Sequence, residues 1–169
     1  SGAFTGGSRD DRWAESALGN LVGNALRAGF QDASVPTVGE FGPVDIGLVN
    51  SGGGVRNELY YAPSGPETEP GKIRFAEANA VLPFVNNVHT ITLTGDQFKM
   101  LLEQQWKEPA FSGRSFLSLG LSDNVSYTFD PARPHLDRVT SIMIDGAPYD
   151  PAAHYRIATF SFLTAGGDA

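Results

Sequence analysis

Residues 50–56, Asn50-Ser51-Gly52-Gly53-Gly54-Val55-Arg56, form the most chemically suggestive grouping in the chain. Three consecutive glycines strip side chains from the loop, so a ligand can come close to backbone N–H groups there. Arg56 adds a permanently charged fork with five donors. The same stretch also fits a plain glycine turn followed by a solvated arginine, and only other parts of the chain separate the two readings. Residues that could break bonds are harder to find. His89, His135 and His154 lie far apart, and none belongs to a metal-spaced pair. There is no Gly-x-Ser-x-Gly elbow, no Gly-Lys-Ser/Thr phosphate loop and no His-Glu-x-x-His. The glycine loop also fails as a dinucleotide fingerprint, because Asn57-Glu58-Leu59-Tyr60-Tyr61 does not open a helix. With zero cysteines, disulfides and thiolate catalysis are excluded. The residue types are suited to holding a ligand rather than transforming one.

The elements that must position this loop are legible from periodicity. Val44, Ile46 and Leu48 alternate with Asp45, Gly47 and Val49, which predicts a strand running into the loop. Upstream, Leu18, Leu21, Val22, Ala25 and Leu26 recur at helical spacing, with Asp10 or Asp11 as the expected cap and Gly29 at the end. Gly19 and Gly23 inside that helix cost about 1 kcal/mol each in helix propensity relative to alanine, so a close-packed neighbour is expected on their face. Asn20 and Asn24 beside them are read as buried, hydrogen-bonded structural residues. Residues 30–43 read as a loop and 60–71 as an exposed insertion. A short helix is expected from about Ile73 to Asn79, and a strand from Val88 to Leu93. Thr94-Gly95-Asp96 then turns the chain into a helix carrying Phe98, Leu101, Leu102 and Trp106, ended by Pro109 and Gly113. Further strands are expected at 116–119, 125–129, 139–144 and 155–159, with Asp145-Gly146 as a hairpin turn. Strands interleaved with about three helices predict a single mixed α/β (α+β) domain with a mainly mixed sheet, spanning 13–169, with 1–12 as a linker or an appended end.

A length of 169 residues suits one domain with a full hydrophobic core. The formal charge of -7 disfavours nucleic-acid polymers and anionic membranes as partners, since either adds repulsion. A small anionic ligand remains compatible through local arginines. No apolar run approaches the length that spans a bilayer.

Five segments carry a further signal when taken in order. They are Glu15-Ser16-Ala17-Leu18-Gly19-Asn20-Leu21, Asn50 to Arg56, Val81-Leu82-Pro83-Phe84-Val85-Asn86, Leu93-Thr94-Gly95-Asp96-Gln97-Phe98 and Phe162-Leu163-Thr164-Ala165-Gly166-Gly167-Asp168. At these spacings, from about Ala14 to the end, the chain resembles the C-terminal domain of the 5'-nucleotidase family, which includes UDP-sugar hydrolases and ecto-5'-nucleotidases. The resemblance implies that Phe84 and Phe162 stack on either face of a nucleobase. It implies that Asp168 accepts hydrogen bonds from ribose hydroxyls, as an acceptor-only carboxylate can. Arg56 stands in the place of the family's loop arginine, as a donor to the nucleoside or its phosphate end. Ser51, and less directly Asn50, would line or hydrogen-bond the base pocket. No residue of this chain is implied to be catalytic and none to bind metal.

Hydrolysis in the family requires two divalent metal ions held by a separate N-terminal metallophosphoesterase domain. The resemblance therefore implies a nucleotide- or nucleoside-recognition domain that is inactive alone, whose partners are its ligand and that N-terminal domain, in a secreted, periplasmic or cell-surface protein. The same scaffold also suits a UDP-sugar hydrolase, a 2',3'-cyclic-nucleotide phosphodiesterase or a non-catalytic surface binding module. Three departures stand out. Ala17 replaces an arginine common in nucleotidases, Ser122-Asp123-Asn124 precedes Tyr127 where members often read Ser-Gly, and members continue past the position of Ala169 with glycine and an aromatic, which leads to the expectation of a frayed end at Asp168.

Overall fold

The main sheet has four strands and places the chain's last strand near its centre. In the computed structural model, which describes residues 14–32, 34, 42–62, 69–111 and 113–168, the elements follow one another in this order. Helix α1 (Ala17–Gly29) precedes β1 (Ile46–Val49), the single turn α2 (Ser51–Gly54) and α3 (Phe75–Val81). Then come β2 (Val88–Thr94), α4 (Gly95–Glu103), β3 (Trp106–Phe111), β4 (Arg114–Phe116), β5 (Gly120–Leu121) and β6 (Val125–Phe129). Strands β7 (Val139–Ile144), β8 (Ala147–Pro148) and β9 (His154–Phe160) lead to the short α5 (Ser161–Thr164). The main sheet has the order β2-β9-β1-β5, with β1 parallel to β9 and the other pairs antiparallel. Two smaller sheets, β3-β4 and β6-β7-β8, complete a mixed α/β fold of the expected class.

Alternation along β1 and β9 divides the core between the two faces of the sheet. Ile46, Leu48 and Ile157 face Phe98 and Leu102 of α4, while Val49 and Ala158 face Val22 and Leu26 of α1. Helix α1 approaches that second face to backbone contact, which explains its glycines. A methyl group on Gly47 would collide with the carbonyl of Gly23, and one on Gly120 would lie 2.5 Å from the Gly19 backbone. Asn20 Oδ1 accepts from Leu121 N of β5 at 3.2 Å and Asn24 Oδ1 from Asp123 N just beyond it at 2.7 Å, so both asparagines are hydrogen-bonded as expected, but they are half-buried rather than buried. The cap is Ser16, whose hydroxyl accepts from Gly19 N at 3.0 Å; Asp10 and Asp11 lie outside the described residues, as do 1–12 as a whole and 63–68 of the predicted insertion.

Four local expectations are corrected. Helix α4 stops at Glu103, so Trp106 is not on it but in β3, and Pro109 and Gly113 lie in and after that strand. Tertiary hydrogen bonds win over helical period here. The buried Glu103 carboxylate accepts from the backbone N–H groups of Arg138 at 2.9 Å and Val139 at 2.7 Å, opening β7. Of the expected strand at 116–119 only Phe116 is in a strand, the end of β4, and 117–119 form the gap before β5, where Leu117 N and Leu119 N donate instead to the carbonyl and side-chain oxygens of Gln105, both at 2.9 Å. Helix α3 starts later than predicted, at Phe75, where Glu77 reaches back to Arg74 N at 2.9 Å. The stretch read as a loop from Ser51 to Gly54 closes instead as the single turn α2. The Asp145-Gly146 turn stands as expected, with φ of 51° and 77° in the left-handed region that a two-residue hairpin requires.

Glu103→Ala leaves the buried Val139 N–H and the half-buried Arg138 N–H without that acceptor. It is expected to lower the unfolding free energy by about 3 kcal/mol, as measured by urea denaturation. Gly47→Ala should cost about 1–3 kcal/mol or more by forcing α1 off the sheet.

Candidate functional site

Because β1 and β9 run parallel, with Ile46 opposite Ile157 and Gly47 opposite Ala158, their C-terminal ends lie side by side. Each strand is followed at once by a short helical turn, α2 after β1 and α5 after β9. Strand β2 pairs antiparallel with β9, with Val88 opposite Phe160, so the segment leading into β2 reaches the same end of the sheet. Three stretches distant in sequence therefore meet there: 50–56, 82–87 and 161–168. Crevices beyond the carboxyl ends of parallel strands are a recurrent place for ligands in sheets of this kind.

Hydrogen bonds fix the three stretches to one another. Ser161 N donates to Asn87 O at 2.8 Å, and Asn87 N donates to Ser161 Oγ at 3.2 Å. Arg56 N donates to Val81 O at 2.9 Å, tying the chain after α2 to the end of α3. Leu82 and Leu163 then pack against the core, while the aromatic rings one or two residues away do not. Phe84 is 52% exposed and Phe162 44% exposed, and both line one cavity of about 190 Å³ with Asn50, Gly53, Gly54 and Asn86. Large rings left half in solvent along one cavity are suited to contacting a flat apolar group there. The Phe162 ring rests on Gly167, where any Cβ would strike it, and Gly167 N closes the turn onto Phe162 O at 2.9 Å.

Asp168 stands beside this cavity, anchored from two sides. Its Oδ2 accepts from Asn50 Nδ2 at 2.8 Å, and its main-chain carbonyl accepts from Lys107 Nζ at 2.5 Å. Asn50 is buried, and its own carbonyl accepts from Gly53 N at 3.1 Å and Gly54 N at 2.6 Å, so the α2 turn holds it rigidly. Asp168 and Lys107 also border a second, mainly apolar cavity of about 170 Å³ walled by Leu48, Ile91, Leu101 and Leu163. Burial beside these groups pushes the Lys107 amine below its ordinary range, and the Asp168 charge draws it partly back.

Arg56 is exposed next to the ring cavity. Its guanidinium Nη1 donates to the carbonyl of Gly53 at 3.5 Å. Ser51 is set apart from the other candidates. Its side chain is buried towards α1, where it fills the space over Gly19, and its hydroxyl makes no hydrogen bond with the protein. Ala17 opens α1 as an exposed residue, and Ser122 bridges strands, accepting from Gly47 N at 3.0 Å and donating to Asn124 at 2.7 Å. Asn86 and Lys107 were not singled out by sequence reasoning. Asn86 could have been, since it lies two residues after Phe84; no local pattern marks Lys107. Among the described residues no group of three His, Cys, Asp or Glu side chains could hold a metal ion, and no helix is long and apolar enough to cross a membrane.

Comparison with known proteins agrees with this architecture. A family model described as "5'-nucleotidase, C-terminal domain" matches residues 2–169. The "Trifunctional nucleotide phosphoesterase protein YfkN" of Bacillus subtilis is 28% identical over 171 residues, covering 98% of this chain and 10% of that protein. The "Cell wall protein Lmo0130" of Listeria monocytogenes is 30% identical over 162 residues, covering 94% of this chain and 18% of that protein. Among solved structures, a 5'-nucleotidase precursor from Thermus thermophilus superposes with a TM-score of 0.64 at 30% identity, covering 91% of this chain and 27% of that one. The chain thus spans roughly a tenth to a quarter of the length of these proteins. With the match running across almost every residue, this chain belongs to the 5'-nucleotidase C-terminal domain family.

Proposed function

We propose that this chain is the nucleotide- or nucleoside-recognition domain of a 5'-nucleotidase-like phosphohydrolase. The observation that carries the reading is that Phe84 and Phe162, 78 positions apart, border one cavity with Asn50, and that Asn50 holds the Asp168 carboxylate. A nucleobase between the two rings would gain about 1–3 kcal/mol per stacking contact, with little dependence on which base it is. Asp168 has an acceptor-only side chain with lone pairs beyond the one that Asn50 uses, and these suit vicinal ribose hydroxyls. Asn86 adds a side-chain amide to the ring cavity, able to donate and to accept at a base edge. Arg56 supplies permanent positive charge close by, in a chain whose overall charge is -7, and is read as the group that meets the phosphate end. Ser51 is read as packing α2 against α1 rather than as a ligand contact.

In this reading the residues here bind and orient, and no cleavage step is assigned to them. Two divalent metal ions on a separate N-terminal metallophosphoesterase domain would polarise the phosphate and activate water. The isolated chain is therefore expected to hydrolyse nothing. A parent protein that acts outside the cytoplasm fits the cell-wall naming of one relative, which is said of that relative only.

Calorimetry with adenosine tests the clamp. Phe84→Ala and Phe162→Ala are each expected to weaken binding by about 1–3 kcal/mol; unchanged affinity in both removes the clamp. Gly167→Ala keeps both rings but displaces Phe162, and should weaken adenosine binding by about 1 kcal/mol. Removing both ribose hydroxyls from the ligand, as in 2',3'-dideoxyadenosine, should cost about 1.5–3 kcal/mol if Asp168 is their acceptor.

A further inference from the structure

We infer that Lys107 is a positioning residue of the ligand site: its ammonium grips the main-chain carbonyl of Asp168 and so holds that carboxylate in register with Asn50 and the two rings. The inference rests on the reading of Asp168 as the ribose acceptor and adds the residue that makes that acceptor stay in place.

The need for such a grip follows from where the local turn ends. Within 161–168 the backbone closes on itself through Ala165 N to Ser161 O at 3.0 Å, Gly166 N to Leu163 O at 3.0 Å and Gly167 N to Phe162 O at 2.9 Å. The pattern stops at Gly167. Asp168 lies one residue beyond it with φ of 62°, in the left-handed region that residues other than glycine seldom occupy. Among the described residues it accepts hydrogen bonds from distant elements, one from Asn50 at the end of β1 and one from Lys107 in β3. Asn50 fixes the side chain, but a side chain is only as well placed as its backbone. Lys107 is the group that fixes the backbone.

The surroundings favour this use of a lysine. The amine borders the same apolar cavity as Leu101, Leu119 and Leu163, and a charge-assisted bond to a carbonyl is stronger there than in water. Burial disfavours the bare ammonium at this place, so the contact with Asp168 is where the charge is best satisfied. Lys107 also lies away from the rings: it borders the apolar cavity and not the one between Phe84 and Phe162. It therefore acts through Asp168 rather than on the base.

The test is calorimetry with adenosine and with 2',3'-dideoxyadenosine on the unmodified chain, Lys107→Met and Lys107→Arg, with thermal unfolding of each. Lys107→Met is expected to weaken adenosine binding about tenfold, to leave dideoxyadenosine within about twofold, and Lys107→Arg to recover part of the loss. Equal weakening of both ligands would assign Lys107 to general packing and overturn the inference, as would no change in either. If the unmodified chain binds both ligands equally, the ribose reading itself has failed. Backbone and side-chain carboxyl NMR shifts of Asp168 in ligand-free Lys107→Met then decide the grip separately: an unmoved Asp168 overturns it.

Discussion

The parallel pairing of β1 with β9 is the constraint from which the site follows. Parallel neighbours end at the same edge of a sheet, so whatever follows one lies next to whatever follows the other. Here the followers are Asn50 with its glycine turn, and the α5 turn with Phe162 and Asp168. The antiparallel β2 starts where β9 ends and brings Phe84 to the same place. A slip of one residue between β1 and β9 would exchange the residues facing α1 for those facing α4, which the two dissimilar core clusters forbid. Core packing thus sets the register, and the register sets the site.

Burial around the site is divided with the same economy. Leu82 and Leu163 anchor their segments in the core, which leaves Phe84 and Phe162 outside without loosening the backbone that carries them. Asn50 is held by its own turn and in turn holds Asp168. Aromatic rings and a carboxylate are thereby preorganised, and under the proposed reading little ordering cost is left for a nucleoside to meet.

Much of this was legible in the residues. The helical period of α1, its glycines and its two asparagines announced close packing on a strand, and the hairpin at Asp145-Gly146 announced itself through turn chemistry. The family resemblance, rather than any local pattern, set the glycine turn, the two phenylalanines and the Gly-Gly-Asp segment together; the structure brings them to one end of the sheet, with the glycines in a helical turn rather than an open loop. What the sequence hid depended on distant partners. Nothing near Trp106 says that the helix ends early, because the reason is a hydrogen bond that the Glu103 carboxylate accepts from Val139 N, at the start of a strand 36 residues later. Ser51 reads as part of the glycine stretch, but the turn of α2 aims it at Gly19. Lys107 has no neighbour in sequence that marks it, since its partner is 61 residues away.

Strand β9 lies between β2 and β1, so the sheet's interior is completed by a segment that follows the other described strands in sequence. A partly synthesised chain emerging from the ribosome would present β1 and β2 with unpaired edges and no ring pair, since Phe162 and Asp168 arrive with and after β9. Under the proposed reading the ring pair and its carboxylate come together only as the sheet is completed, and the open edges invite association with other chains until that last strand inserts.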